Sequence, residues 1–185
     1  TPERETVQRP EIDGAILAIS LPVASAGAVL LHPFLSPFFD RVGLLAEPGR
    51  FHDHEAAARA VLLGHHLATG ADEAPEPETV LFKLLCGIEF NEPIPSHIDF
   101  TTREREETLS VLTSVITHWH RLGQASPAGL RESFLSRPGQ LRRHDDGWRL
   151  VVERRGVDIL LDHLPWTLSW VKTPFMRTAL SVDWR

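Results

Sequence analysis

The sequence predicts an α+β fold: an N-terminal helical half of about five helices, one kinked at proline, followed by a small antiparallel β-sheet. Two observations predict it. Up to about Leu135 the apolar residues recur at steps of three and four, as on one face of a helix. From Leu141 onward the spacing switches to two, the period of a half-buried strand. Residues 1–22 read as a linker and a short extended segment, and residues 23–185 as one globular end domain.

Thr1 to Pro22 begins with Glu, Arg, Gln and Pro, and then Leu17, Ile19 and Leu21 alternate at strand period. Gly27 to Val42 carries Leu30, Leu31, Phe34, Leu35, Phe38 and Phe39 at helical spacing. Pro33 and Pro37 lie inside this run. Each lacks a backbone N–H and crowds the preceding turn, which predicts a kink or two short helices. His54 to Thr69 is an Ala-rich helix with Gly70 as its stop. Ala71 to Pro77 is an acidic loop. Pro77 or Glu78 opens a third helix that runs to Leu85 and ends at Gly87. Phe90 to Pro95 is a Pro-rich connector.

Thr101 to Leu122 is the clearest helix, about 30 Å long at about 1.5 Å per residue. Thr101 and Glu104 stand at capping-box spacing, in which hydroxyl and carboxylate satisfy free backbone donors. Leu109, Leu112, Ile116 and Trp119 then share one face. Ser126-Pro127 pairs an N-cap with Pro at the first helical position, and that helix ends near Leu135. Leu141 to Arg143 is the first strand of the sheet. Asp146-Gly147 is a hairpin signal, and Trp148, Leu150 and Val152 form one face of the return strand. Val157, Ile159 and Leu161 read as the inner face of a third strand, with Asp158 and Asp162 on its outer face. Leu180, Val182 and Trp184 alternate at the end.

Charge restricts the function classes. The chain carries 25 acidic against 19 basic residues, a net charge of −6. Nucleic-acid binding needs clustered Lys and Arg to neutralise phosphates, and the densest cluster, Arg142-Arg143-His144, is followed at once by Asp145-Asp146. Nucleic acid is therefore not an expected partner. Nor is a membrane: the apolar stretch Ala15 to Leu31 is short and broken by Pro22. No signal peptide is visible. The chain starts at Thr1 without Met and reads as a piece of a longer protein. The single cysteine, Cys86, lies in an apolar run and reads as a small buried hydrophobe.

Chemistry-bearing motifs are sparse. Metal ligands on one helix need spacing of three or four, which His65-His66 and His118-Trp119-His120 lack. His52, His54 and Glu55 are the best remaining cluster, and Asp53 beside them reads equally well as a helix cap. Glu104, Glu106 and Glu107 favour the positive end of the helix dipole over acid–base work. No Gly-x-Ser-x-Gly elbow or phosphate loop is present. No catalytic residue, cofactor site or metal site is assigned. Four tryptophans, Trp148, Trp166, Trp170 and Trp184, lie in the last 38 residues. Trp148 and Trp184 fit the inner face of the sheet. Trp166 and Trp170, with Asp158 and Asp162, are the interface candidates, because clustered tryptophan marks both cores and binding hot spots.

Four blocks together resemble one known family. They are Ala26-Gly27-Ala28-Val29-Leu30-Leu31-His32-Pro33-Phe34-Leu35, continuing to Phe38-Phe39; Lys83-Leu84-Leu85-Cys86-Gly87; Gly129-Leu130-Arg131-Glu132-Ser133-Phe134-Leu135; and the Asp146-Gly147-Trp148 hairpin with Leu160-Leu161-Asp162 and Leu164-Pro165-Trp166. In order and spacing they resemble the C-terminal region of tape measure proteins of contractile injection systems, the phage-tail-like particles of bacteria. Ser25 and Phe175 depart from the pattern, where an amide and a Trp are expected. The resemblance implies a structural assembly protein, not an enzyme, that sets the length of an inner tube. Its implied partners are inner tube, baseplate or spike proteins, met in several copies around the particle axis. Its implied place is the cytoplasm during assembly and then the tube or baseplate of the particle. A ruler segment should be long, helical and poor in Pro and Gly. This chain has 14 Pro and 12 Gly, so it reads as a globular anchor with the measuring segment elsewhere. The alternatives are a cargo- or chaperone-type adaptor module and, further off, a metal-dependent hydrolase centred on His52, His54 and Glu55.

Overall fold

The computed structural model describes residues 19–184. The strand-period residue Leu17 and most of the expected linker lie outside the described residues. The described chain opens with strand β1 (Ser20–Val23) and a buried 3-10 helix (Ala26–Leu31) that runs directly into α1 (His32–Arg41). Pro33 occupies the first turn of α1, where a missing N–H costs nothing, and Pro37 sits inside it. The run thus forms two short helices of different pitch that meet between Leu31 and His32, just ahead of Pro33, and Pro37 does not end α1. A small hairpin, β2 (Leu45–Glu47) and β3 (Arg50–Phe51), follows. Nothing in the hydrophobic spacing had marked it.

Helix α2 (His54–Thr69) has the predicted ends. The Asp53 carboxylate accepts the Ala56 N–H at 2.8 Å, and Gly70 closes the helix at φ 78°, a left-handed conformation that glycine adopts without strain. Nearly all of its length is buried, so it forms the centre of the helical half. A 3-10 turn (Glu76–Thr79) leads into α3 (Val80–Leu85). Helix α4 (Thr102–His118) starts with the predicted capping box between Thr101 and Glu104. It stops at Trp119, whose ψ of 76° leaves the helical region, so it is about 25 Å long. Its buried face is Thr108, Val111, Leu112 and Val115, and Leu109 is 52% exposed. The expected stripe was rotated by part of a turn at Leu109. A 3-10 turn (His120–Leu122) and α5 (Pro127–Leu130) follow, and α5 widens into a π-helical turn (Arg131–Leu135).

The chain then builds the sheet from β4 (Gly139–His144), β5 (Gly147–Val152), β6 (Trp170–Val171) and β7 (Leu180–Asp183), with β1 added at one edge. The strand order is β1-β4-β5-β7-β6. The α+β reading holds, with helices mostly before strands. The sheet is mixed, not wholly antiparallel, because β7 runs parallel to β5. The reason lies in the connection: the chain leaves β5, crosses by way of residues 153–179, and returns in the same direction. The hairpin loop between β4 and β5 is Asp145-Asp146, since His144 pairs with Gly147. Among the described residues only glycines have positive φ, with Gly147 at 137°, so the two-residue turn of inverted type that Asp-Gly suggested is not formed.

The expected third strand at 157–161 is a 3-10 helix, Gly156–His163. Leu161 is fully buried and Ile159 is 70% exposed, which alternation would not give. In a 3-10 helix residues i and i+3 lie on one side, and Asp158 and Leu161 both turn inward.

The inner face of the sheet carries Leu21, Leu141, Leu150 and Val182 in one cross-strand row and Val23, Gly139 and Val152 in the next. The 3-10 helix Ala26–Leu31 lies against these rows. Its closeness depends on two glycines. A Cβ on Gly139 would stand 2.5 Å from the Ala26 Cβ, and one on Gly27 would stand 1.6 Å from the Phe134 carbonyl oxygen. Phe38, Phe39, Leu62, Leu63, Leu81 and Leu112 continue the core into the helices.

Candidate functional site

Three polar clusters centred on buried or mostly buried side chains tie elements of the fold together. The largest centres on Arg137, whose side chain has no exposure. Its guanidinium donates to both carboxylate oxygens of Asp158 at 2.9 and 3.0 Å, to the Glu153 carbonyl at 2.9 Å and to the Ser133 carbonyl. It lies over the rings of Trp184 and Phe134. The Trp184 indole N–H and the Arg155 backbone N–H also donate to Asp158, at 3.2 and 2.8 Å. One carboxylate therefore fixes a buried cation, the start of the 3-10 helix and the last tryptophan. In the second cluster Arg59 grips Glu104 with two nitrogens and donates to the Asp99 carbonyl. Burial pushes the Glu104 carboxyl up, but the Arg59 contacts and the Thr101 N–H outweigh it and hold it below the ordinary range. In the third, the buried Lys83 ammonium pairs with Glu76 and donates to the Phe90 and Glu92 carbonyls.

The histidines serve the same structural ends. His54 pairs with Glu92, His65 with Glu78 at 2.9 Å, and His66 with Asp72 at 3.2 Å. His52 and Glu55 are exposed at the start of α2, and neither converges with His54 on a common centre. Among the described residues no group of three His, Cys, Asp or Glu side chains is placed to hold a metal ion. Burial holds His32 and His66 below the ordinary imidazole range, against the raising effect of a backbone hydrogen bond at each. Cys86 is buried, and burial drives its thiol pKa far up, which makes it a poor nucleophile.

The four interface candidates do not gather into one surface. Asp158 is turned inward, its side chain 14% exposed and occupied by Arg137. Asp162, four residues on, is exposed. Trp166 is half-buried: its indole N–H donates to the Leu30 carbonyl at 3.1 Å, and its ring meets Phe34 edge-on. Trp170 is 66% exposed on β6, the open edge of the sheet. Among the four tryptophans of this region, Trp170 leaves most surface for a partner. Trp184 is core, and Trp148 is half-buried beneath Arg143 and against Phe90. Sequence spacing had not pointed to this last group. It lines a concavity of about 370 Å³ with Met176, Arg177 and Leu84 at its sides. The only hint in the sequence was the Arg-rich strand facing a tryptophan across the hairpin.

Among the described residues, ion pairs on Arg59, Lys83 and Arg137 lie inside the fold, and large apolar side chains such as Ile159 and Trp170 stand outside it. The chain matches the family model described as contractile injection system tape measure protein over residues 2–184, and it belongs to that family. It is thus a structural component of an injection particle. No curated protein and no solved structure matches it. Among the described residues no helix is long and apolar enough to cross a membrane.

Proposed function

We propose that this chain is the globular anchor of the tape measure, seated at the baseplate or spike end of the inner tube in several copies around the particle axis. The observation that carries the reading is the length of α4. At 17 residues it is the longest helix among the described residues and spans about 25 Å. A ruler that matches a tube in length needs a far longer continuous rod. The mixed fold, with buried ion pairs joining its helical elements and loops, suits a fixed end point that must not stretch. Its partners are then inner tube, baseplate or spike proteins, and the work it does is binding, not catalysis. An end domain of this kind has its place in the cytoplasm while the particle is built, and in the tube or baseplate afterwards.

The test is deletion of residues 19–184 in the producing bacterium, followed by electron microscopy of the particles. The expected result is loss of assembled particles or tubes of uncontrolled length. Particles of normal number and length would sink the reading and favour a cargo or adaptor role.

A further inference from the structure

The outer face of the sheet carries a row of side chains in which Ser20 donates to the Gln140 side-chain oxygen at 3.0 Å while the two arginines have no acidic partner among the described residues. Register places Ser20, Arg142, Arg149, Ser181 and Trp170 side by side across the five strands. Arg142 and Arg149 are a directly opposed cross-strand pair, and both are exposed. Like charges in that position destabilise a sheet. No carboxylate among the described residues relieves them. This differs from the arginines nearby: Arg137, Arg154 and Arg155 each hold an acidic partner, and Arg143 is stacked on Trp148. Trp170 ends the row, three strand steps or about 14 Å from Arg142 at about 4.8 Å per step. Beside Arg149 a hollow of about 300 Å³ is lined by Leu168, Ser169, Ser181 and Asp183, and the Asp183 carboxylate is engaged by Arg154 at 3.0 Å.

Charge distribution singles out this face. Residues 139–185 carry eight Lys and Arg against six Asp and Glu, whereas residues 1–138 carry eleven against nineteen. An acidic chain thus ends in a slightly basic segment, and on the outer sheet face Asp183 is taken by Arg154 while Arg142 and Arg149 stay unmatched. Exposed Arg and Trp together are the composition of binding hot spots, and guanidinium forks match carboxylates in geometry.

We infer that the outer sheet face, through Arg142, Arg149 and Trp170, docks an acidic segment of another protein of the injection particle, with carboxylates over the arginine pair and an apolar side chain on Trp170. A nucleic-acid backbone is disfavoured because it needs many clustered Lys and Arg to neutralise its phosphates, whereas a pair of arginines matches one or two carboxylates. The inference rests on membership of the particle, not on the baseplate position proposed above.

The experiment places a photo-crosslinking amino acid at position 170, and in a second strain at position 181 between Arg149 and Trp170, of the full-length protein in assembling particles. The cross-linked peptide is identified by mass spectrometry. The expected cross-link is to a Glu- or Asp-rich segment of another particle protein, lost in the Arg142→Glu/Arg149→Glu variant and recovered when the partner's acidic residues are changed to Lys. In vitro, fluorescence anisotropy with a labelled Phe-Glu-Glu-Glu-Glu-Phe peptide should show affinity that falls at least about tenfold in the double variant. Circular dichroism of the variant separates loss of binding from loss of fold. Cross-links to a second copy of this chain, or to nucleic acid, would overturn the inference. So would a cross-link that survives charge reversal. Deletion of the whole domain tests the anchor reading by tube length, so either idea can fail alone.

Discussion

Removing Asp158 should damage the fold far more than a surface aspartate would. Asp158→Ala leaves the Arg137 guanidinium without its counter-ion at a site where its side chain has no exposure. The protein cannot relieve this by deprotonation, since an arginine stays charged at any ordinary pH. Breaking one partner out of a buried pair costs about 3–5 kcal/mol, because the remaining charge is stranded. The same change also removes the acceptor of the Trp184 indole and of the Arg155 backbone N–H. For a chain of this size, about 2–4 °C per kcal/mol gives a fall in Tm of about 6–20 °C. The reverse truncation reads differently. Arg137→Met leaves Asp158, already 14% exposed, free to reach water, but deprives the Glu153 and Ser133 carbonyls of a donor, at about 1–3 kcal/mol for each buried group.

Urea denaturation followed by tryptophan fluorescence and far-UV circular dichroism would measure all three quantities, with Asp158→Ala/Arg137→Met closing the cycle. The double variant should be less damaged than the sum of the singles, since the stranded cation is gone. An Asp158→Ala cost below about 1 kcal/mol would refute the argument that this carboxylate compensates a buried charge. It would also return Asp158 to the list of residues available to a partner.

Three further expectations follow from the packing and the titrating groups. Gly27→Ala should cost about 3 kcal/mol or more by overpacking, because its Cβ meets the Phe134 carbonyl at 1.6 Å and backbone cannot step aside cheaply; a shift in the denaturation midpoint worth less than about 1 kcal/mol would contradict it. His32 and His66 have folded pKa values below 6.5, so the unfolded chain binds protons more readily. Their contribution is complete above 6.5 and is lost as the pH falls from there through the lowered folded values, and Glu104, depressed from 4.5, adds its own loss only from about 4.5 downward. A series of Tm values from about pH 8 to about pH 5 checks this, and His66→Gln should flatten part of the slope. Trp170→Ser should leave stability within about 0.5 kcal/mol, since the ring is 66% exposed, and a larger loss in a thermal melt would assign the ring to the fold.

Element by element, the sequence was legible where local chemistry fixes the backbone. Asp53 and Gly70 bound α2, and Thr101 with Glu104 starts α4, because caps depend on hydrogen bonds within a few residues. It was illegible where tertiary contacts choose between two local options. Val157, Ile159 and Leu161 alternate as a strand would, yet Asp158 stands three residues after Arg155 and accepts its N–H, which starts a 3-10 helix. That spacing was visible, but only the buried Arg137, twenty-one residues upstream, makes Asp158 turn inward. The direction of β7 was hidden for the same reason: alternation is identical in parallel and antiparallel strands, and the path of residues 153–179 decides. The interface candidates follow this pattern. Tryptophan clustering located the region, while the share of each ring left to solvent depended on long-range partners such as the Leu30 carbonyl that holds Trp166. The unpaired Arg142 and Arg149 emerge only from register, since residues seven apart in the chain become direct neighbours across a hairpin whose turn lies one residue earlier than Asp146-Gly147 suggests. Had the loop been Asp146-Gly147, the whole pairing would have slipped, and Arg142 would face another residue of β5. The same two-residue turn therefore sets both the core row of Leu141 and Leu150 and, on the opposite side, the cationic pair offered to a partner.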